Sequence, residues 1–245
     1  RLDYLARDSY FTGVSEGIVN FNRIIDMLQV ADDRLVVEQK AIYSIEKFLV
    51  SRRLMYWQVY LHKTAVCAEE MLVRTLRRAR HLVDQGHDVA GSDDLLAFLR
   101  HTVTLNDLRQ RDWLDRFARL DDIDLLWAVK QWQRHDDAVL ARLSEALVER
   151  RLFRIALFDE PVTAADEAVK RDAVADAWSL DAADADELVW SGTMTNYLYN
   201  PSKAGIGILM KDGTVTDIAR ANDQWTSEAF KRGVRKHFLI HPKGL

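Results

Sequence analysis

The sequence is poor in the residues that interrupt or staple a chain. Cys67 is its single cysteine among 245 residues, which excludes an intramolecular disulfide and argues against a thiolate-based zinc site. Prolines number three, at Pro161, Pro201 and Pro242, so the first 160 residues lack the strongest helix breaker. No apolar run approaches the roughly 18 residues that span a bilayer, and no signal-peptide pattern is visible. The expectation is a soluble, cytoplasmic protein without a membrane partner. Neither sign of charge dominates, with 34 Lys and Arg against 38 Asp and Glu and a net charge of −4. No global field therefore advertises nucleic acid or membrane as a partner, although cations can still cluster locally.

What is present suits a folded domain. Hydrophobic residues make up 48% and charged residues 29%, a balance that argues against disorder. The length allows one large domain, or one with a smaller appendage. The first residue is Arg1, not Met, and a charged segment follows without preamble. The expectation is a piece of a longer protein.

Periodicity predicts the elements. From Lys40 to about Val83 there is neither Gly nor Pro, and Ile42, Ile45, Phe48 and Leu49 fit one face of a single long helix. Shorter helices are predicted at about 93–103, 105–119, 122–134 and 137–150, with Thr104, Asp121 and Asp136 placed to cap them. After Pro161 comes an Ala/Asp-rich helix at about 163–178. Ile206 to Ile218 then reads as a hairpin around Asp212-Gly213, and residues 236–240 as a strand. The expected fold class is mainly α: a helical domain over residues 1–160 and a small α+β region over 161–245.

Two helical stripes carry chemistry. Arg1, Tyr4 and Asp8 fall at i, i+3 and i+7, so a cation, a phenol and a carboxylate share a face. Arg52, Tyr56, Tyr60 and Lys63 form a second stripe on the long helix, with Gln58 and His62 beside it. Arginine grips phosphate in a bidentate manner and tyrosine packs on a sugar or base. The alternatives are a solvated helix end for the first stripe, and for the second a helix with buried phenol rings and snorkelling cations.

The segment Leu2-Asp3-Tyr4-Leu5-Ala6-Arg7-Asp8 with Gly13, followed some fifty residues on by Tyr60-Leu61-His62-Lys63, resembles the HD-superfamily phosphohydrolases. Within them it is most similar to the deoxynucleoside triphosphate triphosphohydrolases of the sterile-alpha-motif and HD-domain type and their bacterial relatives. The resemblance extends to about residue 155. It implies an HD-type helical domain and a divalent metal (Mg, Mn, Fe or Zn) held by an H…HD…D set. It also implies water attack on the α-phosphorus, releasing nucleoside and tripolyphosphate.

The resemblance places the whole metal-ligand set upstream of Arg1, so the segment alone is expected to be inactive. What remains here would grip substrate. Arg1 and Arg52 would meet triphosphate oxygens, Tyr4 the sugar and Asp8 the 3′-hydroxyl, while Tyr60 would exclude a ribose 2′-hydroxyl. An activating nucleotide would meet Arg23, Lys40, His62, Lys63, Arg150 and Arg154. Glu38 and Ser44 depart from that basic pattern. The resemblance further implies a homo-oligomer and a nucleotide partner. Two other readings stay open: a nucleotide monophosphatase or phosphodiesterase on the same scaffold, and a non-catalytic nucleotide-sensing or assembly module.

Other features read as structural. His87-Asp88 lies in a turn-rich stretch and His135-Asp136 at a helix junction, neither with a second histidine at ligand spacing. Asp121, Asp122 and Asp124 lack the rest of a calcium loop and suit a helix start. Trp113, Trp127 and Trp132 read as core, and Cys67 as a buried thiol.

Overall fold

The computed structural model describes residues 2–197, 199, 205–221 and 233–245, so Arg1 lies outside the described residues. Along the chain come α1 (Leu2–Thr12), a 3₁₀ turn (Ser15–Gly17), α2 (Phe21–Asp26), β1 (Leu28–Ala31), β2 (Arg34–Glu38) and α3 (Ile42–Met55). A π-helical turn (Tyr56–Tyr60) precedes α4 (Lys63–Asp84), α5 (Asp93–Arg100), α6 (Arg111–Arg119), α7 (Asp122–Trp132) and α8 (Ala138–Val148). Next are β3 (Arg154–Phe158), α9 (Ala164–Trp178), α10 (Ala182–Asp186), β4 (Trp190–Tyr197), β5 (Gly207–Leu209), β6 (Val215–Asp217), α11 (Ile218–Ala221) and β7 (Gly233–His241). The fold is mainly α with small sheets, as the sequence predicts. Among the described residues, no helix is long and apolar enough to cross a membrane.

Two compact units share the chain, one made of residues 1–62 and 193–236, the other of 63–192 and 237–245. In the first, Leu5 of α1, Ile45, Leu49 and Met55 of α3, and Ile208 and Ile218 form a buried core. Each such side chain taken out of water contributes about 1.5–3 kcal/mol. The sheet order is β1-β2-β5-β6, with β2 and β5 parallel and the outer pairs antiparallel. The Asp212-Gly213 hairpin is as predicted, with Gly213 at φ 85°. The β1–β2 hairpin is not, since residues 1–160 are expected to be a helical domain throughout. Its turn, Asp32-Asp33, places both residues at positive φ, 50° and 56°, the geometry a two-residue hairpin demands and Asp tolerates.

In the second unit, α4, α5, α7 and α8 enclose Ala79, Leu82, Leu95, Leu99, Val129, Trp132 and Leu140. Trp132 donates Nε1–H to the Ala90 carbonyl at 2.8 Å. Trp127, expected in the core, is 49% exposed instead. Asp121 makes a full capping box with Asp124, and Thr163 does the same with Asp166. At α8 the cap is Asp137, one residue beyond the expected Asp136; its side chain accepts from Leu140 N at 2.7 Å and also takes a bidentate contact from Arg78. Thr104 pairs reciprocally with Asp107 around a single 3₁₀ turn, so α6 begins later than predicted. β3, also missed, pairs antiparallel with β7 from Arg154↔His241 to Phe158↔His237.

The predicted long helix is broken. Leu61 N–H bonds back five residues to the Tyr56 carbonyl at 2.6 Å, which is a π turn. After Leu61 and His62 a new helix starts at Lys63. Lys63 therefore opens a different helix in a different unit from Arg52, Tyr56 and Tyr60, and the four-residue stripe expected on one helix is reduced to three.

Candidate functional site

The first unit gathers a cation, three phenols and a carboxylate. Buried Leu5 and Ser9 fix the inner face of α1, which leaves Tyr4 and Asp8, four residues apart, half-buried on the adjoining face. The Arg7–Asp3 pair, 2.5 Å apart, lies on the exposed side. The π turn delivers Tyr60, whose hydroxyl donates to Asp8 Oδ2. Its ring stands edge-on to Tyr4 with centroids 6.2 Å apart and edge-on to Tyr56 at 5.0 Å. The Arg52 guanidinium carbon lies 4.7 Å from the centre of the Tyr56 ring. Arg52, Tyr56 and Tyr60 thus form a run of contacts that branches at Tyr60 to Tyr4 and to Asp8.

Electrostatics follow from this geometry. Burial, then the hydrogen bond to Asp8 and the Asp8 charge, push the Tyr60 phenol above the usual tyrosine value. Tyr60 is thus a neutral donor across physiological pH. Arg52 Nε is buried and has no hydrogen-bond partner among the described residues. A buried donor on a fixed cation is best satisfied by an anionic acceptor. The cluster sets a cation at one end, aromatic rings in the middle, and a carboxylate beside Tyr60.

The residues expected to meet an activator are divided. Arg23, Lys40 and His62 belong to the first unit, Lys63, Arg150 and Arg154 to the second. Arg23 donates to the Lys40 carbonyl at 3.4 Å. The Lys40 ammonium lies 3.8 Å from Glu38, so the departing carboxylate is partly neutralised by its neighbour. In the second unit Lys63 and Arg154 do meet, lining a cavity of about 340 Å³ with Thr64, Cys67 and Lys243. Arg150 lines another, of about 540 Å³, with Arg142, Trp178 and Lys243. Lys243 was missed because a lone lysine 180 positions from Lys63 carries no local pattern.

The remaining histidines and acids behave as structure. His135 accepts from Asp137 N–H through Nδ1 at 2.9 Å, which leaves Nε2–H to meet the Asp88 carbonyl at 3.1 Å. Among the described residues, no group of three or more His, Cys, Asp or Glu side chains is placed to hold a metal ion. Among the described residues, that leaves no set fitted to a divalent metal centre.

Residues 19–102 match the family described as the HD associated region. A phosphohydrolase from Bacteroides thetaiotaomicron is 40% identical, with a TM-score of 0.88 over 99% of this chain and 60% of its own. YwfO of Bacillus subtilis is 28% identical over the whole of this chain and 55% of its own length. The deoxynucleoside triphosphate triphosphohydrolase SAMHD1 homolog of Dictyostelium discoideum is 32% identical over 79 residues, covering 32% of this chain and 15% of that protein. Over residues 19–102 the chain is thus similar to the HD associated region, and over nearly its whole length it shares its fold with a phosphohydrolase. It spans little more than half the length of the first two relatives.

Proposed function

We propose that the protein bearing this chain is an HD-type, metal-dependent hydrolase of (deoxy)nucleoside triphosphates, releasing nucleoside and tripolyphosphate, and that this chain supplies its substrate-gripping side. The observation that carries this reading is the run of contacts from Arg52 through Tyr56 to Tyr60, which branches there to Tyr4 and to Asp8. A nucleotide needs a cation for its phosphates, ring faces for its sugar and an acceptor for a sugar hydroxyl, in that order along its length. Arg52 orients phosphate oxygens, Tyr4 and Tyr56 bracket the sugar, and Asp8 accepts the 3′-hydroxyl. Tyr60 stands beside that carboxylate and crowds the place of a 2′-hydroxyl. Arg1 joins Arg52 on the triphosphate in this reading.

The divalent metal, which would activate water and polarise phosphate oxygens, is assigned to residues outside this chain. The relatives' greater length supports that assignment. A homo-oligomer belongs to the same reading. A second reading, an activating nucleotide, is favoured in part by the meeting of Lys63, Arg154 and Lys243 around one cavity.

The test is product analysis with the protein at its full natural length and added manganese or magnesium. It is incubated with each deoxynucleoside triphosphate alone and with all four mixed. Nucleoside plus tripolyphosphate supports the reading. Monophosphate or diphosphate products move it to another phosphohydrolase class, and binding without turnover favours a sensing module. Turnover only in the mixture supports the activator.

A further inference from the structure

Asp8 and Tyr60 belong to elements that meet beside a third, closely packed segment. Gly17 closes the 3₁₀ turn after α1 and is buried. A Cβ added there would stand 2.7 Å from Ser9 Cβ, 2.9 Å from Ser9 Oγ and 3.1 Å from Met55 Sδ. The sulfur ends a flexible side chain and can yield. Ser9 cannot yield in the same way, because its Cβ is bonded directly to the α1 backbone and its hydroxyl donates to the Val14 carbonyl at 2.5 Å. Both neighbours are buried, Ser9 at 5% exposure and Met55 at 0%.

Their places in the chain make this contact consequential. Ser9 directly follows Asp8, and Met55 directly precedes the π turn that carries Tyr56 and Tyr60. Gly17 is thus a spacer between the roots of the two arms. Its φ is negative, unlike that of Gly13 at φ 70°, so the glycine is needed for room and not for conformation. A methyl group at 17 would force Ser9 Cβ from 2.7 Å out towards the 3.4 Å where ordinary contact begins. Several tenths of an ångström is enough to weaken a hydrogen bond formed at close range.

We propose that Gly17 is a positioning residue: by lacking a Cβ it lets α1 approach the end of α3 closely enough for Tyr60 to donate to Asp8, and so fixes how Asp8 meets the hydroxyl of a ligand. Only the last clause rests on the function proposed above. The spacing itself is independent of any ligand.

The experiment uses the full-length protein and reads two quantities. One is ionisation of the Tyr60 phenol, followed by ultraviolet difference titration against Tyr60→Phe. The other is kcat/KM on the deoxynucleoside triphosphate that product analysis selects. Gly17→Ala is expected to bring Tyr60 ionisation back towards the ordinary tyrosine value, about 10, and to lower kcat/KM at least tenfold. Adding Ser9→Gly removes both atoms that the new methyl group strikes, and is expected to restore both readouts.

Unchanged Tyr60 ionisation in Gly17→Ala overturns the proposal. So does a loss that Ser9→Gly leaves in place. Ionisation that reverts while kcat/KM stays constant upholds the spacing role and overturns the ligand role of Asp8. If Gly17→Ala does not fold, the double variant decides: a raised Tyr60 ionisation there supports the spacer, and an ordinary one overturns it.

Discussion

The hydroxyl of Tyr60 donates to the carboxylate of Asp8, fifty-two residues earlier in the chain. The bond holds the phenol neutral because ionisation would set a phenolate against a carboxylate in a partly buried place. Tyr199 is held in the same way, by burial first and then by its bond to Asp217 at 2.6 Å. Both groups keep their proton in the folded state at pH values where an unfolded tyrosine loses it. Their contribution to stability is therefore complete below about pH 10 and is lost as pH rises through the raised folded values. Spectrophotometric titration should find these two phenols ionising last. Tyr60→Phe should remove one of them and lower stability by about 1.5 kcal/mol in thermal denaturation, the lower end for a bond to a charged group.

Arg52 is the cation of the same cluster. In the full-length protein, Arg52→Ala should reduce kcat/KM for a nucleoside triphosphate at least tenfold, about 1.4 kcal/mol. Arg52→Lys should recover only part of this, since an ammonium cannot form the planar two-point contact with phosphate. Steady-state kinetics on folded variants decide it, and an unchanged rate for the alanine variant removes Arg52 from the site.

How much of this was legible beforehand differs from element to element. Tyr4 and Asp8 sharing a face was readable because four residues make about one helical turn, and α1 obeys that rule. Tyr56 and Tyr60 were readable as a pair for the same reason. The π turn was not: neither Gly nor Pro marks it, and a widened turn depends on packing that local pattern does not carry. Lys63 was misplaced for that reason alone. The β1–β2 hairpin left a faint signal in Asp32-Asp33 between apolar alternations, which the absence of Gly obscured. Gly17 and Lys243 owe their roles to distant neighbours and left no local mark.

Cys67 is buried beside Met71 and Phe153. Burial pushes its thiol up to about 11, against a small opposing effect of the Lys243 charge. At pH 8 it should be almost wholly protonated and should react with iodoacetamide far more slowly than a free thiol. Denaturant should restore the ordinary rate. Rapid labelling of the native protein would contradict the packing described.

Arg150 occupies the residue after the α8 cap, with φ 56°, and the surrounding bonds, Arg150 N to Leu147 O at 3.2 Å and Arg151 N to Ala146 O at 2.9 Å, form a Schellman ending that ordinarily favours glycine. Arg150→Gly should therefore raise stability by about 1 kcal/mol, read as an increased Tm. If the full-length protein proves to be activated by mixed nucleotides and Arg150→Gly loses that activation, the charge of the arginine serves the activator. Retained activation removes it from that role.

The wide turn at Tyr56–Tyr60 makes the site depend on length as well as on composition. Most single-residue substitutions there leave the residue count unchanged, and with it the direction of Tyr60. Loss of the codon for Trp57, Gln58 or Val59 would remove the extra residue that the wide turn accommodates and let the backbone settle into ordinary α-helix. Tyr60 would then leave a tighter turn and lose its present approach to Asp8, although both residues remain. For this protein an in-frame deletion of three nucleotides should be more damaging than the conservative replacement of any one of those residues.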